Sequence, residues 1–321
     1  MRFVTYLEPA DDRPDRDIAW LPERHRAGVL AGDEIHPLKP GVSLLGLLRE
    51  GTPALHAAGE RALGEDGGVR PAAAVRLLAP LPTPPTIRDF MTFEQHIAPG
   101  YAARGAAVPP LWYAQPVFYF SNPYATTGPY DDVPVPPGSV RFDFEAEVAA
   151  VVGRPGSDLT PDQAAGHIAG YLVVNDWSAR DLQVAERTVG LGPVKAKDTA
   201  TTLGPALVTA DELAPYRSGT AFDLGISVSV NGALFGRDRL DNMAWSFPEM
   251  VAFASRGSMV GPGDVLGSGT CANGCLFEYW ARHGPDSRPP LREGDVVEIT
   301  VDVLGTIRNR VVAGPQPVPL R

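Results

Sequence analysis

Proline and glycine interrupt this chain so often that long helices are ruled out. There are 34 glycines and 33 prolines among 321 residues, about a fifth of the chain, where average usage is roughly 12%. Such punctuation can also mark disorder, but 44% of the residues are hydrophobic. A core built from them offsets the entropy of ordering the chain. The expected product is a mostly β fold with some α, made of short strands and many turns.

The charge balance is 28 basic against 38 acidic residues, a net of −10. A surface of that sign repels phosphate backbones, which argues against a nucleic-acid partner. No apolar run approaches the ~18 residues of a membrane span. The first residues, Met1-Arg-Phe-Val-Thr-Tyr6, read as a strand and not as a signal peptide. The two cysteines, Cys271 and Cys275, lie in a glycine-containing loop without zinc-spaced partners. They read as free thiols of a reducing cytoplasm.

Residues 1–80 read as a small α+β N-terminal domain. Phe3–Tyr6 and Ala27–Leu30 pattern as strands, Ser43 as a helix cap and Pro53 as the start of a second helix. The proline-rich connector Leu78–Pro85 places the boundary, leaving 81–321 as the main domain. Within it Phe142–Val152 is the clearest strand. Ser178–Glu186 and Ser246–Ala254 read as helices, and Asn231-Gly232 as a hairpin turn.

Period-two alternation splits Phe142-Asp-Phe-Glu-Ala-Glu-Val148 into two faces. Asp143, Glu145 and Glu147 share one of them. Beyond Glu147 that face turns apolar with Ala149 and Val151, so the acids sit where the strand enters the core. Partly buried carboxylates require a cation. Hard oxygen ligands two residues apart suit Mg²⁺, Mn²⁺ or Ca²⁺. A solvated acidic face with Arg or Lys partners fits this strand equally well, and other residues must decide.

Asn175-Asp-Trp-Ser-Ala-Arg-Asp181, followed by Leu182 and Gln183, is a long and specific string. Glu145-x-Glu147 precedes it. Leu191-Gly-Pro193, Lys197, Gly261-Pro-Gly-Asp-Val265, Gly269-Thr270 and Leu291–Glu298 follow in order. Together these strings resemble the fumarylacetoacetate hydrolase family over about residues 85–312. The resemblance implies a mixed β roll or sandwich catalytic domain, usually homodimeric, behind the α+β N-terminal domain. It implies one divalent metal, Mg²⁺ with Mn²⁺ or Ca²⁺ as alternatives, on Glu145, Glu147 and Asp176. Fumarylacetoacetases add an Asp, matched here by Asp89, and a catalytic His seven residues later, matched by His96. The Glu that pairs with that His corresponds to Glu278 in Gly274-Cys-Leu-Phe-Glu278, and a substrate-binding Tyr corresponds to Tyr119. Thr270 and Arg104 are further candidates for binding substrate. Where fumarylacetoacetases carry two more tyrosines, this chain has Met91 and Arg187. Fumarylacetoacetate itself is therefore not the expected substrate.

Hydrolysing a C–C bond of a 1,3-dicarbonyl compound expels a carbanion, feasible only where charge spreads onto oxygen. The expected enzyme is a metal-dependent hydrolase of a β-diketo or acylpyruvate-like acid, with a metal-chelated enolate as leaving group. His96 activates the water, Glu278 orients His96, and Lys197, Gln183 and Arg180 donate to the oxyanion. The partner is a small dicarboxylic or diketo acid. One alternative keeps the scaffold and isomerises, decarboxylates or dehydrates a 2-oxo acid. Another is a non-enzymatic interaction protein with a structural Ca²⁺, which requires a closed ion shell far from His96 and Lys197.

Overall fold

In the computed structural model of the protein, residues 1–8, 21–65 and 67–319 are described. One large sheet organises them. Ten of its twelve strands form its main path; in chain order these are β1 (Arg2–Leu7), β2 (Arg26–Ala31), β3 (Glu34–Pro37), β4 (Arg70–Pro71) and β5 (Ile87–Phe90). They continue with β6 (Phe118–Ser121), β7 (Ala146–Val152), β8 (Ile168–Asp176), β9 (Thr201–Thr209) and β10 (Val265–Gly267). The spatial order is β4-β3-β2-β1-β9-β8-β7-β10-β5-β6. The β1–β9 pairing places Phe3 opposite Leu207, so the strands of the first 80 residues extend the sheet of the main domain.

The helices are short, as the proline and glycine content requires. They include α1 (Leu44–Glu50), α2 (Thr52–Gly64), α3 (Glu94–Ala102), α4 (Arg180–Arg187), α5 (Phe247–Ser255) and α6 (Leu276–His283). Ser43 caps α1 by accepting from Gly46 N at 3.1 Å. Ser246 and Glu249 form a capping box on α5. The expected hairpin joins Gly225–Val230 to Ala233–Arg239, with φ of 53° at Asn231 and 77° at Gly232. Positive φ at both central residues is what a type I′ turn needs.

Both faces of the central strands are covered, which is why β7, β8 and β9 are buried along their whole length. Val148, Ala150, Val173 and Val208 pack with Ile226, Val297 and Ile307 of a second, five-stranded sheet. On the other face Ala149, Val151, Leu172 and Val174 pack with Leu44, Leu48 and Leu55 of α1 and α2. The result is a sheet-dominated sandwich, as expected for the fold class.

Two local expectations need correction. Phe142–Val152 is not one strand: Phe142–Asp143 pairs with Ser178–Ala179, and β7 begins only at Ala146. The backbone departs there because Asp143 turns to accept from Leu276 N at 2.8 Å and Phe277 N at 2.9 Å. The helix expected from Ser178 starts two residues later, because Ser178 and Ala179 are held in that pairing.

Candidate active site

Strand parity builds the core of the site. Asp89 follows Ile87 by two on β5, Glu147 precedes Ala149 by two on β7, and Asp176 follows Val174 by two on β8. Ile87, Ala149 and Val174 all face the α1–α2 side, so the three carboxylates project from that same face. Register aligns them: Asp89 pairs with Gly267, and Gly267 pairs with Ala149. Glu145 joins just before β7. Asp89, Glu145, Glu147 and Asp176 are all buried, and each offers an oxygen within 4.8 Å of the others.

Gly267 makes room for this cage. A Cβ there would stand 2.5 Å from Asp89 Oδ1 and 3.0 Å from Glu147 Oε2. Those two oxygens and Asp176 Oδ1 are buried without a hydrogen-bond partner. Buried polar atoms are rarely left in that state. Carboxylates that gather within 4.8 Å and leave three oxygens orphaned are a donor set for a hard divalent cation, and the residues present fit one.

Two side-chain cations serve the cage from outside. Lys197 Nζ donates to Glu145 and to Asp176. Arg180 reaches Glu145 Oε1 at 2.6 Å and Asp143 Oδ2 at 2.8 Å. Asp143, grouped with the other acids by alternation, stands outside the cage, and its cation is Arg180. Asp181 does not pair with Arg180; it accepts from Ser139 Oγ at 2.7 Å and Val140 N at 2.8 Å.

Two cations do not balance five acids, and the remaining charge shows in the titration. Burial, then Asp89 and Asp176, push the Glu147 carboxyl well above the usual carboxylate range. Burial also raises Asp89. Asp176 is pushed up to about 7 by burial, which outweighs Lys197. For Glu145 burial is outweighed by Arg180 and then Lys197, which hold its carboxyl well below that range. The cage thus takes up protons where a cation would otherwise neutralise it.

The cage opens onto a cavity of about 400 Å³. His96 on α3 lines it, and Glu278 on α6 is buried behind that ring, with its Oε2 3.4 Å from Nδ1 of His96. Glu278 Oε2 also accepts from Asn273 N at 2.8 Å, and Arg282 pairs with Oε1 at 2.6 Å. Cys275 Sγ lies 3.7 Å from the same His96 nitrogen, a neighbour that the sequence did not reveal.

The other expected residues also reach this cavity. Gln183, Thr270, Tyr119 and Arg104 line it, as do Met91 and Arg187. Gln183 Oε1 accepts from Arg180 at 3.2 Å, which leaves its amide N–H groups to donate. The Tyr119 hydroxyl is held by the cage: it lies 2.9 Å from Asp89 Oδ2 and also meets Asp176 Oδ2. Its one proton is therefore committed to carboxylates. The calcium-only reading is overturned: the cage is open, Lys197 contacts two of its members, and His96 lines the same cavity.

The family model described as fumarylacetoacetate (FAA) hydrolase C-terminal matches residues 86–312. The chain belongs to this family. It is 30% identical over 315 residues to the mitochondrial oxaloacetate tautomerase FAHD2B of Bos taurus, covering 97% of this chain and 92% of that one. The fumarylacetoacetate hydrolase of Exiguobacterium antarcticum superposes with a TM-score of 0.68 at 26% identity, covering 98% of this chain and 99% of that one. A maleylpyruvate hydrolase of Sphingobium sp., solved with manganese(II) and pyruvate, shares the fold with a TM-score of 0.70 at 24% identity, covering 98% of this chain and 100% of that one. The fumarylacetoacetate hydrolase family is thus an enzyme family whose named members include both a hydrolase and a tautomerase. No helix among the described residues is long and apolar enough to cross a membrane.

Proposed function

We propose that the protein is a metal-dependent hydrolase that cleaves a C–C bond in a β-diketo or acylpyruvate-like acid. One observation carries this reading: a His–Glu pair faces an over-charged carboxylate cage across a single cavity. Asp89, Glu145, Glu147 and Asp176 would hold Mg²⁺, with Mn²⁺ and Ca²⁺ as the competing hard ions. When bound, the cation supplies a Lewis acid for the oxygens of the substrate.

The side chains of the protein divide the remaining work. Glu278 engages Nδ1 of His96 and leaves Nε2 to take the proton from water. The resulting hydroxide bonds to the substrate carbonyl carbon. Lys197 has three N–H donors and uses two on Glu145 and Asp176, so the third is left for the developing oxyanion. The Gln183 amide is the second donor, and Arg180 holds both Gln183 and Glu145 in place. Cleavage leaves the bonding pair with the departing fragment, and His96 returns its proton there. Thr270 and Arg104 bind substrate, and Tyr119 positions the cage.

In the same reading residues 81–321 are the catalytic unit, and residues 1–80 an N-terminal unit that closes one face of its sheet. The enzyme acts as a homodimer in the cytoplasm. Val184, Val189 and Leu191, exposed on and after α4, supply apolar surface for a second copy.

A second reading has its own support: the relative at 30% identity is an oxaloacetate tautomerase. A product-resolved assay with Mg²⁺ separates the two. Two fragments from a diketo acid are expected. A retained carbon skeleton, with turnover of oxaloacetate tautomers alone, would replace hydrolysis by tautomerisation.

A further inference from the structure

The proposed reaction leaves Cys275 unused, although its sulfur lies 3.7 Å from Nδ1 of the base His96. Cys275 is fully buried and caps α6 by accepting from Glu278 N at 3.4 Å. Capping does not call for sulfur, since serine is the better cap. Glu145 completes a group of three. One ligand atom from each of His96, Glu145 and Cys275 lies within 4.8 Å of the other two. The spacing of the cysteines in the chain could not reveal this group. Its members come from α3, from the residues before β7 and from the start of α6.

The spacing of the atoms suits a metal. A tetrahedral Zn²⁺, about 2.3 Å from sulfur and about 2.0 Å from nitrogen, holds those two ligands about 3.5 Å apart. Cys275 Sγ and His96 Nδ1 already stand close to that separation. The local field has the right sign. Asp143, Glu145 and Glu278 act on the sulfur against the single guanidinium of Arg180.

This group differs in kind from the cage. Four carboxylates suit a hard cation, whereas a thiolate and an imidazole select a softer one. The two sets can therefore be loaded separately, although Glu145 belongs to both. Its oxygens accept from Arg180 and from Lys197, and each keeps a further lone pair.

We propose that His96, Glu145 and Cys275 form a second metal site, for a thiophilic divalent cation of the Zn²⁺ class, and that its occupation switches the enzyme off. Binding exchanges the S–H bond of Cys275 for a sulfur–metal bond and releases the proton to solvent. The metal takes the Nδ1 lone pair of His96, so the ring N–H stands on Nε2. Nε2 then has no lone pair with which to take a proton from water. The inhibition rests on the reading of His96 as the base, but the binding does not.

The test uses Co²⁺ as a coloured substitute for Zn²⁺, added to the full chain in excess Mg²⁺. A thiolate-to-cobalt charge-transfer band is expected, saturating at one Co²⁺ per chain and bleached by Zn²⁺. Cys275→Ser and Cys275→Ala should lose the band, and Cys271→Ser should keep it. No band in the wild type, or a band that survives in folded Cys275→Ser or Cys275→Ala, overturns the site. Zn²⁺ should inhibit Mg²⁺-supported turnover, and Cys275→Ser should raise the inhibitory concentration about 100-fold, the upper end of the loss when a metal site loses a supporting group. Equal inhibition of wild type and Cys275→Ser would place Zn²⁺ in the carboxylate cage and overturn the switch. Absence of diketo acid hydrolysis by the wild type would defeat the hydrolase reading, and the cobalt band would still decide the site.

Discussion

The cavity has two walls of opposite character. The strand wall carries Asp89, Glu147 and Asp176, buried and fixed by register to Gly267 and to one another. The helix wall carries His96, Gln183 and Arg187, with Glu278 buried behind His96. Strands hold ligand oxygens in place because each is pinned by a neighbour on either side. Short helices bring reactive groups up from outside the sheet. The difference separates holding a cation from moving a proton, and the two functions should be separable by mutation.

The largest effect is expected on the strand wall. Asp176→Ala should cut turnover by about 10³-fold or more and abolish the thermal stabilisation by Mg²⁺. Retention of either would remove Asp176 from the cage. On the helix wall, His96→Ala should reduce kcat by about 10²-fold or more and leave the Mg²⁺-induced rise in Tm intact. Loss of both together would mean that the walls are not independent.

A subtler break targets the space between strands. Gly267→Ala places a methyl group against Asp89 Oδ1 and Glu147 Oε2. Metal affinity measured by calorimetry should fall roughly 10–100-fold. An unchanged affinity would show that the cage has slack.

The smallest effect is a pH dependence with a defined sign. Asp89 and Glu147 are raised in the folded protein, and Asp176 is pushed up to about 7. Raised carboxyls bind extra protons in the folded state. Their contribution to metal-free stability is therefore present below about pH 4 and lost as pH rises through about 7. A cation replaces those protons, so the Mg²⁺-induced shift in Tm should grow across the same window. Scanning calorimetry with and without Mg²⁺ measures it, and a shift that shrinks with rising pH would contradict the raised carboxyls.

Much of this was legible in the chain. The alternation around Glu147 predicted acids entering the core, and the Asp-Trp-Ser-Ala-Arg string led to Asp176 and Arg180. The resemblance to fumarylacetoacetases, through its Asp-to-His spacing from Asp89, led to His96. What alternation could not show is that the backbone leaves the strand between Asp143 and Ala146. That departure takes Asp143 out of the cage and makes it the joint between α4 and the start of α6. Cys275 beside His96 was equally hidden, because 179 residues separate them in sequence.

The sequence by itself determined a sheet-rich fold with short helices, since proline and glycine fix where helices end and period two fixes which residues face inward. It also determined the acids and the histidine on which the proposed chemistry rests. Only the tertiary structure decided which oxygens are left without partners. Whether Glu147 keeps a bare oxygen depends on Gly267, 120 residues away, having no Cβ. Local pattern chooses the residue types, but hydrogen-bond satisfaction is a property of the packed whole.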